Sequence, residues 1–369
     1  MTPSLVIAGG GVIGLSIARL AAQRGLETFV LEKNAFIGQE TTSRNSQVIH
    51  AGIYYPVSGL KARLCVAGKE ALYRFCREHD VPYRQCGKLI VAERSQTEIL
   101  DRLYENGRKN GVYDLKMVSG EEARAMEPEL DCHQALFSPS TGIIDSFGLM
   151  TALENDAVRH GATILVNTAV QSVRLGANWK RISVVQEGEL YEVESHFFVN
   201  ATGLLAPELW PVYDVDRPRV PLKWSKGTYF RLGSGGTIPF QRLVYPVPEP
   251  GGLGIHFTLG IDGSVRFGPD VELVDRIEYV PIESRKALFV ERIKRYWPAV
   301  SADDLEVDYC GIRPKIMQAN GQIYEDFCIA GPSFHGVPGV VHLCGIESPG
   351  LTSALAIAER TIELLESMK

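Results

Sequence analysis

The sequence predicts an α/β domain assembled from discontinuous segments, with an antiparallel-sheet α+β domain inserted into it. Three observations predict it. Helix-like and strand-like segments alternate at both ends of the chain, runs of strands with glycine turns fill the middle, and a strand–turn–helix–strand unit begins within the first ten residues. Alternating segments build a parallel sheet covered by helices, whereas consecutive strands pair antiparallel.

The elements follow in order. Residues 4–8 are a short apolar run of strand length, turned by Gly9-Gly10-Gly11. Ile13, Ile17, Leu20 and Ala21 then recur at helical spacing as far as Gly25, a C-terminal glycine stop. Thr28 to Glu32 is a second apolar strand. Residues 33–60 show no period, and so long an irregular stretch inside a compact domain points to binding. Helices are expected over 61–79, 96–109, 146–160 and 283–296, and a strand over 87–92. Ser119 with Glu122 has the spacing of a capping box. Several strands fill 162–199, and 225–268 reads as a meander turned at 233–236, Gly251-Gly252 and Gly263. Val340 to Cys344 is an apolar strand before a last helix from about Pro349. The first domain is expected from 1–82, 145–215 and 310–369, and the second from 83–144 and 216–309.

Composition narrows the function. A chain of 369 residues buries roughly 75% of its unfolded surface and needs no staple. Its 45% hydrophobic and 22% charged residues describe a globular enzyme rather than a disordered chain. A net charge of −6 argues against nucleic acid as partner. The seven cysteines are odd in number and lack Cys-x-x-Cys spacing, and no His-Glu-x-x-His occurs, so neither a disulfide framework nor a metal site is expected. No apolar stretch reaches membrane-spanning length and no basic leader precedes the first apolar run. The expected setting is the cytoplasm, with peripheral contact on the inner face of a membrane left open.

The sharpest motif is Gly9-x-Gly11-x-x-Gly14, between a strand and a helix, with Glu32 ending the next strand. The glycines allow a tight turn and close approach of backbone to a pyrophosphate, and the helix N-terminus favours its charge. Glu32 suits ribose hydroxyls and would repel a 2′-phosphate, which speaks against NADP. A second helix start, at Ser348-Pro349-Gly350-Leu351-Thr352, can aim amides at a reduced flavin. With the polar belt 40–56, these features point to FAD.

Longer stretches carry a resemblance. They are 43–55 (SRNSQVIHAGIYY), 60–65 (LKARLC), 226–230 (KGTYF), 245–248 (YPVP), 253–258 (LGIHFT), 311–315 (GIRPK) and 345–352 (GIESPGLT). In these the chain resembles the FAD-dependent D-amino-acid oxidase-like superfamily, which includes glycine oxidase, sarcosine oxidase and glycerol-3-phosphate dehydrogenase. It is most similar there to the L-2-hydroxyglutarate dehydrogenase/oxidase family. The resemblance implies a Rossmann-like FAD-binding domain of the glutathione-reductase/D-amino-acid oxidase type, with an inserted substrate domain. It implies FAD held by Gly9, Gly11, Val12, Gly14, Glu32 and Lys33. Thr42, Ser43, Arg44, Asn45 and Ser46 would lie along pyrophosphate and flavin, and Val170 near the adenine. Ala201, Thr202, Gly203, Arg313, Ser348, Gly350, Leu351 and Thr352 complete the implied cofactor set.

Oxidising a 2-hydroxy acid on a flavin requires a carboxylate anchor, a Cα hydrogen facing flavin N5 for hydride transfer, and a base for the hydroxyl proton. Arg313 suits the anchor, because guanidinium grips carboxylate bidentately. His256 and His50 are the base candidates, with His256 favoured as a member of an alternating strand whose Ile255 and Phe257 point to the other face. His335 and His342 have weaker claims. Tyr54, Tyr55, Tyr229 and Lys226 stand where superfamily members line the substrate pocket. The expected reaction converts a small anionic substrate, L-2-hydroxyglutarate, to 2-oxoglutarate, with oxygen, a quinone or a carrier protein as acceptor. A glycine- or sarcosine-type amine oxidase and a non-catalytic flavoprotein are the alternatives.

Overall fold

The computed structural model describes residues 3–176, 179–212, 221–233, 235–248 and 254–366. The chain divides into two compact units: residues 1–43, 146–224 and 313–369 form the first, and 44–145 and 225–312 the second. Residues 44–82, expected with the first domain, therefore belong to the second unit. Strand Val48–Ile49 pairs antiparallel with Gly142–Ile144. In helix Leu60–Glu78 the Tyr73 hydroxyl donates to the Ser140 carbonyl at 3.0 Å, and Lys69 donates to the Ser140 hydroxyl at 3.0 Å. Helical periodicity shows that residues 61–79 coil; it does not show what they pack on. The expected boundary at 215/216, the turn at Gly251-Gly252 and Leu253 lie outside the described residues.

The first unit is built on a six-stranded sheet in the order Cys328–Ala330, Val340–Cys344, Phe197–Asn200, Leu5–Ala8, Thr28–Leu31, Thr163–Leu165. All pairings are parallel except that of Cys328–Ala330 with Val340–Cys344. The sheet's centre explains its apolar strands: Leu5, Val6, Ile7 and Ala8 are all fully buried, as a parallel sheet covered on both faces requires. Helix Val12–Gln23 packs against Ser146–Arg159 and Gly350–Glu366. Its buried Ala18, Ala21 and Ala22 are small enough for close contact. Arg19 also pairs with the buried Asp156 at 2.5 Å. A three-stranded antiparallel sheet, Thr168–Leu175, Lys180–Gln186 and Glu189–Ser195, shares an apolar cluster with the main sheet through Val173, Ile182, Val184, Val6 and Phe198.

The second unit's large sheet runs in the order Leu222–Leu232, Val265–Phe267, Phe257–Leu259, Leu243–Pro246, Lys88–Ala92, Gln134–Ser138, Lys116–Ser119. The described pairings are antiparallel except that of Leu243–Pro246 with Lys88–Ala92, which is parallel. One face buries Leu89, Val91, Val244, Phe257 and Phe267 in an aromatic-rich core with Phe289 and Trp297. The other carries a second cluster with Ile90, Ala92, Leu136 and, from the belt, Ala51 and Ile53. The period-two alternation of strand Lys88–Ala92 thus feeds two cores. The Ser119–Glu122 capping box is present and opens helix Gly120–Met126. The helix expected over 283–296 is shorter, a 3₁₀ turn Glu283–Arg285 followed by Lys286–Ile293. Among the described residues no helix is long and apolar enough to cross a membrane, and no cluster of three His, Cys, Asp or Glu stands together as for a metal.

Candidate functional site

The glycine loop of the first unit has the shape a dinucleotide needs. Gly9 has φ +105°, and a Cβ there would stand 2.5 Å from the Ala201 carbonyl oxygen. A Cβ on Gly14 would stand 1.9 Å from the Gly9 carbonyl oxygen, so only glycine lets the helix start so close to the strand. Helix Val12–Gln23 opens at Gly11 with no side-chain cap from that residue and no acid in its first turn. The Val12 amide donates to the Thr42 hydroxyl at 3.1 Å. An N-terminus without a carboxylate is an anion site. Glu32 is buried, accepting from the Gly10 amide and from the Asn34 amide, each at 2.8 Å. A carboxylate has about four acceptor positions, so Glu32 both braces the loop and keeps capacity for ribose hydroxyls. These residues fit a dinucleotide.

Other cofactor candidates fall around this loop. The Thr168 amide donates to the Glu32 carbonyl at 2.8 Å, which brings the strand of Val170 beside the acid. The Ala201 amide donates to the Ala8 carbonyl at 2.9 Å. Thr202 donates its hydroxyl to Asn200 Oδ1 at 2.7 Å, and Gly203 takes φ +59°. Ser43 caps the Gln39 and Glu40 carbonyls. Lys33 is paired with Glu40 at 2.6 Å on the surface, so its charge already has a partner.

The same unit holds Arg313 and the C-terminal motif. Arg313 lies on strand Leu305–Met317, two residues before Lys315, whose ammonium meets the buried carboxylate of Glu347 at 2.7 Å. A Cβ on Gly345 would run into Ile316 at 2.5 Å. The strand of Arg313 is therefore tied to the turn that carries Ser348 and opens helix Gly350–Glu366. No acid occupies that helix's first turn, Gly350 and Thr352 are buried, and Leu351 is half-buried. The sequence reading missed Lys315 and Glu347. Their opposite charges were visible, but their meeting, 32 residues apart, was not.

Arg44, Asn45 and Ser46 belong to the second unit. The Arg44 guanidinium lies over the Tyr279 ring at 4.2 Å, and the Arg44 carbonyl lies where a Gly311 Cβ would be, 2.3 Å away. The Tyr309 hydroxyl donates to the Asn45 carbonyl at 2.6 Å, and Ser46 and Tyr229 share a hydroxyl–hydroxyl bond of 2.9 Å. Tyr229 is buried and stacked on Tyr309. The Tyr55 carbonyl accepts from Asn106 and Asn110, each at 2.9 Å. Lys226 donates to the Val280 carbonyl at 3.2 Å, so its ammonium is engaged with backbone rather than with a carboxylate.

His256 stands one residue before strand Phe257–Leu259 rather than in it, while the expected alternation holds: Ile255 and Phe257 share one core cluster, and the His256 carbonyl accepts from the Gly268 amide. Its buried ring stacks on Tyr245 with centroids 3.8 Å apart. His50 follows strand Val48–Ile49 and is also buried. Burial, helped by the charge of Lys88, pushes its imidazole down to about 3, so it is neutral at any working pH. The two histidines with weaker claims are held by neighbouring groups. His335 accepts from the Val337 amide at 3.1 Å and contacts the Ala330 carbonyl, and His342 bonds Asn200 at 3.1 Å. Lys88, which sequence reasoning passed over, is fully buried in the second unit. The signal was a lysine opening the otherwise apolar run Lys88-Leu89-Ile90-Val91-Ala92.

The family model for FAD dependent oxidoreductases matches residues 4–364. A mitochondrial L-2-hydroxyglutarate dehydrogenase of Arabidopsis thaliana is 40% identical, over 96% of this chain and 81% of its own length. An L-2-hydroxyglutarate dehydrogenase of Salmonella houtenae is 29% identical over 99% of this chain and 93% of its own. Among solved structures, the L-alpha-glycerophosphate oxidase of Mycoplasma pneumoniae with FAD bound superposes with a TM-score of 0.89 at 25% identity, covering 99% of this chain and 95% of that one. With a dinucleotide loop that only glycine can build, and a family match along nearly its whole length, this chain belongs to the FAD dependent oxidoreductase family.

Proposed function

We propose that the protein oxidises L-2-hydroxyglutarate to 2-oxoglutarate, with the buried imidazole of His256 in the second unit as the observation that carries the choice of an alcohol over an amine. The likeness to L-2-hydroxyglutarate dehydrogenases supports the substrate's name. The chemistry supports its class. Two hydrogens leave the substrate: the Cα hydrogen with its electron pair, and the hydroxyl proton. Bound FAD supplies the two-electron acceptor. An alcohol needs a base for its proton, whereas a free amine offers its own lone pair. Arg313 binds a substrate carboxylate through its fork of N–H donors and so orients the reacting carbon. His256 takes the hydroxyl proton. His50 is the weaker base, because a group held near 3 has little driving force to accept a proton at neutral pH. The Ser46–Tyr229 hydroxyl pair and Tyr54 supply polar lining.

The test is the product. Purified holoprotein given L-2-hydroxyglutarate and an artificial electron acceptor should form 2-oxoglutarate, one for each pair of electrons passed on. Glycine and sarcosine should give no turnover. Turnover of either amine, with none of the hydroxy acid, would reassign the enzyme to the amine oxidases.

A further inference from the structure

Lys88 stands out among the charged groups of the second unit. It is fully buried, and its ammonium has no hydrogen-bond partner and no carboxylate beside it among the described residues. Two aromatic faces flank it, Tyr54 with its ring centroid 4.6 Å from Nζ and Tyr245 at 4.8 Å. The Tyr54 hydroxyl is itself buried without a hydrogen-bond partner, and the Tyr245 hydroxyl, beside that of Thr258, keeps its own proton to donate. A buried ammonium is costly unless paired, and cation–π contact with two tyrosines offsets only part of that cost. The ammonium and the two hydroxyls thus each keep a donor to offer an anion. Such a constellation is complementary to a carboxylate that the protein itself does not supply.

The neighbours mark the place as functional. His50 feels the charge of Lys88, and Tyr245 carries the stacked ring of His256. His50, Lys88 and Tyr245 with its stacked His256 are thus linked neighbours, and Lys88 points to the face of its strand opposite Leu89 and Val91. Burial also holds the Lys88 ammonium down to about 7, and a carboxylate beside it would restore its proton.

From this geometry we infer that Lys88, with the hydroxyls of Tyr54 and Tyr245, binds the substrate carboxylate remote from the reacting carbon and so selects dicarboxylic over monocarboxylic 2-hydroxy acids. The inference rests on the function proposed above and adds the residue that sets its specificity. Lys88 is a binding residue in it, and the proton chemistry stays with the imidazole.

The test compares wild-type holoenzyme with Lys88→Met, which keeps the length of the side chain and removes the charge. Lys88→Gln serves as a second neutral variant, and Lys88→Arg restores charge. Two ligands that cannot react, glutarate and butyrate, are titrated while the visible flavin band is watched for perturbation. Turnover of L-2-hydroxyglutarate and L-2-hydroxybutyrate is measured beside them. Wild type should bind glutarate more tightly than butyrate. Lys88→Met should weaken glutarate by roughly 30-fold or more, the loss expected when one partner of a buried charge pair is removed. Butyrate should weaken far less, so that the ratio of kcat/KM for the two hydroxy acids collapses toward unity. Lys88→Arg should recover part of the preference. Without ligand, the neutral variants should melt at or above the wild-type temperature, because they remove an unpaired buried charge. If wild type prefers glutarate and the neutral variants keep that preference, Lys88 is not the anchor, while the proposed function stands. Equal losses for both acids would likewise overturn it. If wild type itself shows no preference for the dicarboxylate, the proposed substrate fails and the role of Lys88 fails with it.

Discussion

At the scale of single residues, the account assigns separable roles, and each predicts a different kinetic signature. Arg313→Met should lower kcat/KM for 2-hydroxy acids by the equivalent of about 2–5 kcal/mol, since a desolvated carboxylate loses its bidentate partner. FAD should stay bound, and Arg313→Lys should recover only part of the loss. Wild-type kinetics in Arg313→Met, measured with saturating acceptor, would place the anchor elsewhere. The histidines separate by pH. His50 stays neutral through the working range, because its pKa lies near 3. A rising limb of kcat/KM between about pH 5 and 8 therefore cannot be its titration. Flavin reduction should slow about 10²–10⁴-fold in His256→Ala and far less in His50→Ala, with FAD bound in both. Near wild-type reduction in both variants would exclude both. As candidates, these residues came from the sequence: Arg313 from its motif and the two histidines from their type. Lys88 was not, because a lysine opening an apolar strand reads as a surface charge until the tertiary fold shows Tyr54 and Tyr245 on either side of it.

At the scale of elements, the glycine loop and its acid were the most legible part of the molecule. Strand, turn, helix and strand are all local, and the spacing of Gly9, Gly11, Gly14 and Glu32 has one economical reading. The structure adds what spacing cannot: Gly14 has no room for a methyl group, because the obstacle is the Gly9 backbone oxygen at 1.9 Å. Gly14→Ala should thus displace the helix start and yield protein that purifies without flavin. Glu32→Ala should weaken FAD retention by about 1.5–3 kcal/mol, the scale of a hydrogen bond to a charged group, read as a raised dissociation constant in flavin-release titrations. The loss would also include the brace from Glu32 to the Gly10 amide. Retention of FAD at wild-type affinity in both variants would remove the loop from the cofactor site. The belt was only half legible. Its irregularity announced function, but Thr42 and Ser43 fall in one unit and Arg44 to Ser46 in the other, a division set by long-range packing such as Tyr309 on Asn45. The strand expected around His256 begins one residue later, at Phe257, although Ile255 and Phe257 still share one core and the His256 carbonyl is still bonded to Gly268.

At the scale of the whole molecule, buried titratable groups set the response to pH. His50 and His342 are both held down to about 3, chiefly by burial. An unfolded histidine binds its proton near 6.5, so between about 6.5 and 3 the unfolded chain carries more protons than the folded one. Stability should therefore be fully present above pH 6.5 and fall as the pH drops toward 3, by on the order of several kcal/mol for the two together. Urea midpoints measured from pH 7.5 to 5 should decline within a window that lies above the ordinary carboxylate range. A flat profile there would mean that both imidazoles reach solvent. The discontinuous architecture itself was legible, since a nucleotide loop at the start and a motif-bearing helix at the end enclose a strand-rich middle. The placement of residues 44–82 was not, because the helix at 60–78 declares its apolar stripe without naming its partner. The central claim, FAD-linked oxidation of a 2-hydroxy dicarboxylate, is tested most directly by anaerobic titration of the purified yellow holoprotein with L-2-hydroxyglutarate while the visible flavin band is recorded. The account predicts that the band bleaches and that one 2-oxoglutarate appears per flavin reduced. A band that stays unchanged with L-2-hydroxyglutarate but bleaches with glycine or sarcosine would contradict it.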